Sequence, residues 1–141
     1  MTKLNQESGR SMVEMLGVLA IIGVLSIGGI AGYTMAMNRY RANEVLSIAG
    51  QLTVLAQAKK QGAGDTASLT DLNLTASNVA GLASSGKIDV DATGTVPVVT
   101  IESLSSDAVG SAIESIAGGT TGSCKASKCT LKMEGGRLTV S

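Results

Sequence analysis

Gly9-Arg10-Ser11-Met12-Val13-Glu14 leads into Met15-Leu16-Gly17-Val18-Leu19-Ala20-Ile21-Ile22-Gly23-Val24-Leu25, and the apolar character then runs to Met37 without a charged side chain. The 23 residues from Met15 to Met37, as a helix rising about 1.5 Å per residue, reach about 35 Å, more than the roughly 30 Å of a bilayer core. The stretch therefore reads as a membrane-spanning helix. Glu14 stands at its head, where a carboxylate in hydrocarbon costs about 2.5 kcal/mol or more, and so calls for a positive partner.

A secretory signal is the plainer reading, but its apolar region spans only about 7 to 15 residues, shorter than this one, and Glu14 occupies a position where it would carry Leu or Val. A generic single-pass anchor tolerates the Gly9 and Glu14 spacing without needing it. Five glycines, Gly17, Gly23, Gly28, Gly29 and Gly32, lie within the apolar run, each costing about 1 kcal/mol relative to alanine in a helix interior. Gly28 and Gly32 form a small-xxx-small step that lets another helix approach closely. The alternative is that glycine is simply commoner in membrane helices.

Beyond Met37 the apolar pattern turns periodic. Val45, Ile48, Ala49, Leu52, Leu55 and Ala56 recur at three- and four-residue steps, with Arg41, Glu44, Gln51, Gln57 and Lys60 on other faces, the pattern of an amphipathic helix. The helix is expected to run from about Arg10 to Gln61 and to stop at Gly62 and Gly64. The rest of the chain makes one small domain with a thin core. In it Gly62–Gly94 reads as short helical turns and loops, with Lys87–Val90 as a short strand. Val96–Ile101 is β-branched and reads as a strand, Pro97 favouring its start or an edge. Asp107–Ala117 reads as a helix with Val109, Ile113 and Ile116 on one face and Ser105 or Ser106 as N-cap. Thr130–Met133 and Arg137–Val140 flank Gly135-Gly136 as a hairpin. The expected fold class is α+β: a long N-terminal helix, membrane-spanning then amphipathic, with a small α/β head containing antiparallel strands.

Composition narrows the function classes. There is no His, Trp or Phe, and the two tyrosines, Tyr33 and Tyr40, both lie on the long helix. Without histidine the usual general base and the commonest neutral metal ligand are missing, and without head aromatics there is no stacking platform for single-stranded nucleic acid. Eleven basic residues balance eleven acidic ones, so no net charge points to nucleic acid. No nucleophile–base pair or phosphate loop is legible, and no catalytic residue, metal site or cofactor is expected.

A glycine closing a short polar leader, a glutamate five residues later and the apolar block Met15–Leu25 together resemble the N-terminus of type IV pilins and of the pseudopilins of type II secretion. The resemblance covers about residues 9–40. It implies that a prepilin peptidase cuts between Gly9 and Arg10 on the cytoplasmic side, making Glu14 the fifth residue of the mature chain. It further implies that Glu14 meets the N-terminal amine, here that of Arg10, on a neighbouring subunit. Two charges that are each costly in an apolar core become tolerable together, so the pair sets register more than stability. The family usually begins its mature chain with Phe or another apolar residue, and this chain departs from that with Arg10. The Arg10 side chain either joins Glu14 or stays at the headgroups. Gly28–Gly32 is also where the resemblance suggests a loss of helix on polymerisation.

On this reading residues 1–9 are a leader, 10–38 a transmembrane and polymerisation helix, 39–61 its amphipathic continuation and 62–141 the head. Cys124 and Cys129 resemble the C-terminal disulfide-bounded region of many type IV pilins, with a smaller loop. In an oxidising compartment they close a bridge worth about 2 kcal/mol on the chain-entropy model. A metal site would lack ligands, with two thiols and no His, and free thiols remain if the compartment is reducing. Lys125 and Lys128 lie in that loop, and Asn73-Leu74-Thr75 matches a glycan acceptor pattern with a high chance rate.

The expected function is a structural subunit of a bacterial type IV pilus-like filament. It resides in the inner membrane before assembly, N-terminus cytoplasmic, and at the cell surface afterwards. Its expected partners are further copies of itself in a helical filament, the prepilin peptidase, an inner-membrane assembly platform and membrane lipid. The neighbouring readings are a pseudopilin or minor pilin, and a membrane-anchored adhesion or binding protein that never polymerises. Lys3 and Arg10 are matched by Arg39 and Arg41 across the span, so orientation rests on the resemblance and not on flanking charge.

Overall fold

The computed structural model describes residues 2–62 and 64–141, with side chains from Ser11 onward. The protein is α+β: a long helix, α1 (Thr2–Lys59), precedes β1 (Thr66–Ser68), β2 (Leu82–Asp91), β3 (Val98–Leu104), α2 (Asp107–Ala117), β4 (Lys128–Glu134) and β5 (Arg137–Val140). Two short 3₁₀ turns, Leu69–Leu72 and Ala76–Asn78, join β1 to β2. The chain divides into two compact units, Met1–Ala36 and Met37–Ser141.

In the second unit five strands form one antiparallel sheet in sequence order, β1-β2-β3-β4-β5. Alternation along the strands gives it one buried and one exposed face. Ile88, Val90, Val99, Ile101 and Leu131 point inward, while Lys87, Asp89, Asp91, Glu102, Lys128 and Lys132 point outward. The inward face joins a single core with Ala42, Val45, Ala49, Leu52 and Ala56 of α1 and Val109 and Ile113 of α2. Thr53 is the one buried polar residue among the described residues; its hydroxyl donates to the Ala49 carbonyl at 2.7 Å, so no donor is orphaned there.

Several elements differ from the sequence expectation. α1 stops at Lys59, and the Gln61 and Gly62 amides reach back only three residues, to Ala58 and Lys59 at 3.3 and 2.9 Å, a tightening of the last turn. β2 spans ten residues, where Lys87–Val90 alone was expected. Its first half, Ala83-Ser84-Ser85-Gly86, lies at a register shift against β3, so tertiary pairing, and not its own propensity, makes it a strand. β1 was not expected; its three residues pair with Asp89–Asp91. β3 starts at Val98, one residue after Pro97, which cannot donate to a ladder, and continues to Leu104.

Other features follow their local signals. Ser106 caps α2, accepting from the Val109 amide at 3.4 Å, and Gly118, at φ 74°, closes the helix. Gly135 and Gly136, at φ 59° and 80°, make the turn between β4 and β5.

Candidate assembly helix and disulfide-closed loop

Past Glu14, the described residues of the first unit offer an apolar surface with no polar side. Between Met12 and Met35 every large apolar side chain is more than half exposed, the lowest values being 53% at Val18 and Ile22. A helix that is apolar all round belongs in lipid or among other helices, and α1 is long and apolar enough to cross a membrane. Two hydroxyls in this stretch are satisfied by the helix's own backbone. Ser26 donates to the Ile22 carbonyl at 2.7 Å and Thr34 to the Ala31 carbonyl at 2.9 Å, the form in which hydroxyls tolerate hydrocarbon.

Glu14 is exposed at the head of this segment. Gly28 and Gly32 lie one turn apart on one side of the helix, and a Cβ built on either meets nothing within 4 Å, so both present open backbone. Fourteen residues separate Glu14 from Gly28, about 21 Å along a helix, so carboxylate and glycines are distinct features and not one pocket. The helix is unbroken through Gly28–Gly32 in the single chain. The side chain of Arg10 and the Gly9–Arg10 cleavage position lie outside the residues whose side chains are described. Tyr33 and Tyr40 project outward from α1, 67% and 61% exposed.

In the second unit Cys124 and Cys129 form a disulfide with Cα atoms 4.2 Å apart, both residues buried. The loop is fastened to one side of α2 by carboxylates. Glu114 accepts from the Cys124 amide at 2.6 Å and Asp107 from the Ala126 amide at 2.7 Å. Gly110, between them on α2, leaves no room for a side chain, because a Cβ there would sit on the Cys124 carbonyl. The Leu104 amide donates to the Ala126 carbonyl at 2.7 Å, joining the loop to the end of β3. The Cys124 amide, then those of Gly122 and Ser123, hold the Glu114 carboxyl below its ordinary range against a small opposing effect of burial. Sequence reading missed Glu114 and Asp107, whose partners are backbone amides; their seven-residue spacing on one helix face is the only signal that precedes the structure. Lys125 and Lys128 are exposed on the loop.

A polar cleft of about 520 Å³ opens beside β1 and β2, lined by Lys59, Ser68, Asp71, Asp89, Asp91 and Thr100, among others. Lys59 forms an ion pair with Asp71, lowering the Asp71 pKa with help from the Ser68 amide. Asp91 is lowered by the Thr93 hydroxyl and amide. Among the described residues no three ligating side chains are placed to hold a metal ion. Asn73 is exposed at φ 55° after the first 3₁₀ turn, while the Thr75 hydroxyl is engaged with Asn78 at 2.6 Å.

Comparison with family models, with curated proteins and with solved structures finds no match to this chain.

Proposed function

We propose that the chain is the structural subunit of a bacterial type IV pilus-like surface filament. In this reading a prepilin peptidase removes residues 1–9. The subunit waits in the inner membrane with its N-terminus inside, and then enters a helical polymer through the 15–37 segment. One observation carries the reading: a segment apolar on every side, headed by a single exposed carboxylate at Glu14, continues as α1 into a folded head. Lipid satisfies the apolar surface but leaves Glu14 costly, whereas a bundle of like helices satisfies both if each supplies a cation at the level of the next carboxylate. The free amine of Arg10 is that cation.

Gly28 and Gly32 serve close helix approach in the same bundle, and the peptidase and an inner-membrane assembly platform are the partners that such a life cycle needs. The test is the intact mass of this protein in material sheared from cells that carry its processing machinery. A species beginning at Arg10 in sedimentable filaments is the expected result. Full-length protein confined to the membrane would instead favour a non-polymerising anchor. A species beginning at Arg10 but absent from sheared material would favour a pseudopilin or minor subunit.

A further inference from the structure

One motif of the sequence is left unused by the filament reading. Asn73-Leu74-Thr75 matches the Asn-x-Ser/Thr acceptor pattern of N-linked glycans, and of the five asparagines in the chain Asn73 alone has a hydroxyl residue two positions on. In a chain rich in Ser and Thr the pattern arises readily by chance, so its placement decides.

That placement leaves the asparagine free. Asn73 and Thr75 are both exposed, in the connection between the 3₁₀ turns Leu69–Leu72 and Ala76–Asn78. Asn73 takes the left-handed conformation, φ 55° and ψ 32°, where the first turn ends, a backbone state that glycine would serve as well. The polar side chains around it are engaged: Asp71 accepts from the Ser68 amide at 2.8 Å, and Asn78 accepts from the Thr75 amide at 3.1 Å and from its hydroxyl at 2.6 Å. The Asn73 carboxamide makes no hydrogen bond among the described residues, so a substituent on its Nδ2 displaces no contact of the fold. The Thr75 hydroxyl becomes available to an enzyme once the second turn opens. That turn buries none of its residues, and an exposed turn of this kind opens at low cost.

The compartment fits as well. The pattern is an acceptor in secreted chains, disulfides form and persist in the same oxidising surroundings, and the head carries the Cys124–Cys129 bridge.

We propose that Asn73 is an N-glycosylation site, modified outside the cytoplasm by an oligosaccharide delivered on a polyprenyl diphosphate. In the transfer Nδ2 attacks the anomeric carbon of the first sugar. The carbon–nitrogen bond forms as the bond from that carbon to the diphosphate oxygen breaks, the diphosphate leaves with the electron pair, and Nδ2 gives one of its two protons to a base of the transferase. The site rests on the part of the reading above that places the head outside the inner membrane. It does not rest on polymerisation, so a minor subunit or an unassembled anchor carries the same glycan.

The experiment compares wild type, Asn73→Asp, Thr75→Ser and Thr75→Ala, each as full-length protein purified from the native host, with urea unfolding of the detergent-solubilised proteins as the check on folding. Trypsin cuts after Lys60 and Lys87, so the mass of the 61–87 peptide is the readout, with the oxidation state of Cys124 and Cys129 taken from the same digest. In wild type and Thr75→Ser the peptide should be heavier by whole sugar residues, placed on Asn73 by fragmentation. Asn73→Asp and Thr75→Ala should lose the added mass completely. A wild-type peptide found only at its unmodified mass, with the cysteines bridged, overturns the proposal and leaves the head outside. The same mass with both cysteines as free thiols overturns it together with the assigned topology. Added mass that persists in folded Asn73→Asp is carried by a hydroxyl of the segment and likewise overturns the proposal.

Discussion

Glu114 gives the most direct test of how the disulfide loop is held. Its carboxylate accepts from the Cys124 amide at 2.6 Å, a part-buried contact. Glu114→Ala leaves that amide without its acceptor, and a stranded donor of this kind costs about 1–3 kcal/mol. Taking about 2 kcal/mol and about 4 °C per kcal/mol for a unit of roughly this size, the calorimetric melting temperature of the head at pH 7 should fall by about 8 °C. Glu114→Gln keeps an acceptor but not the charge, and should recover about half of that loss. The pH dependence carries a sign. The folded carboxyl titrates below its ordinary value of 4.5, so the stabilisation owed to its charge is fully present above that value and is lost as pH falls through the folded one. The gap between wild type and Glu114→Ala should therefore be widest at pH 7 and shrink to about half at pH 2, where the protonated carboxyl, like glutamine, still offers the Cys124 amide a neutral acceptor. A drop below 2 °C at pH 7, or an equal gap at both pH values, would refute the charge-assisted fastening.

Glu14→Ala is expected to leave membrane insertion unchanged, since it removes a charge from the apolar segment, while reducing sheared filament by tenfold or more. Ile113→Ala, at a fully buried site in the core shared by α2 and the sheet, should cost about 2–4 kcal/mol in urea unfolding with no change in the m-value. Gly119→Ala places a side chain at φ 110° against the Val140 carbonyl, and should destabilise by more than about 2 kcal/mol and expose the Val140 amide, now bonded to Gly118 at 2.8 Å, to hydrogen exchange. In wild type the buried Cys124 and Cys129 should resist alkylation after reductant treatment until denaturant is added; rapid labelling of the folded protein would show that the loop opens freely.

The helices were legible because their signals are local. The 15–37 run, the three- and four-residue steps from Val45 to Ala56, the Ser106 cap and the Gly135-Gly136 turn can all be read from neighbouring residues. β1 and the first half of β2 were not legible, since Thr-Ala-Ser and Ala-Ser-Ser-Gly have little strand preference and become strands only through partners far away in sequence. The fastening of the loop was hidden for a related reason: Glu114 and Asp107 recognise backbone amides, and any sequence supplies those. Glu14, Gly28 and Gly32 stand out because in an apolar run a charge or a glycine is conspicuous, but on the filament reading proposed above what they meet belongs to a second molecule and is not written in one chain.

Tyr33 and Tyr40, the protein's only aromatic side chains, project outward from α1, one in each compact unit. With no Trp, ultraviolet emission of the whole protein originates from these two positions, while the sheet and α2 are dark. Tyrosine emission is thus a label-free reporter of what surrounds α1, and its change on transfer from detergent to lipid or to polymer can be followed with no substitution in the sequence.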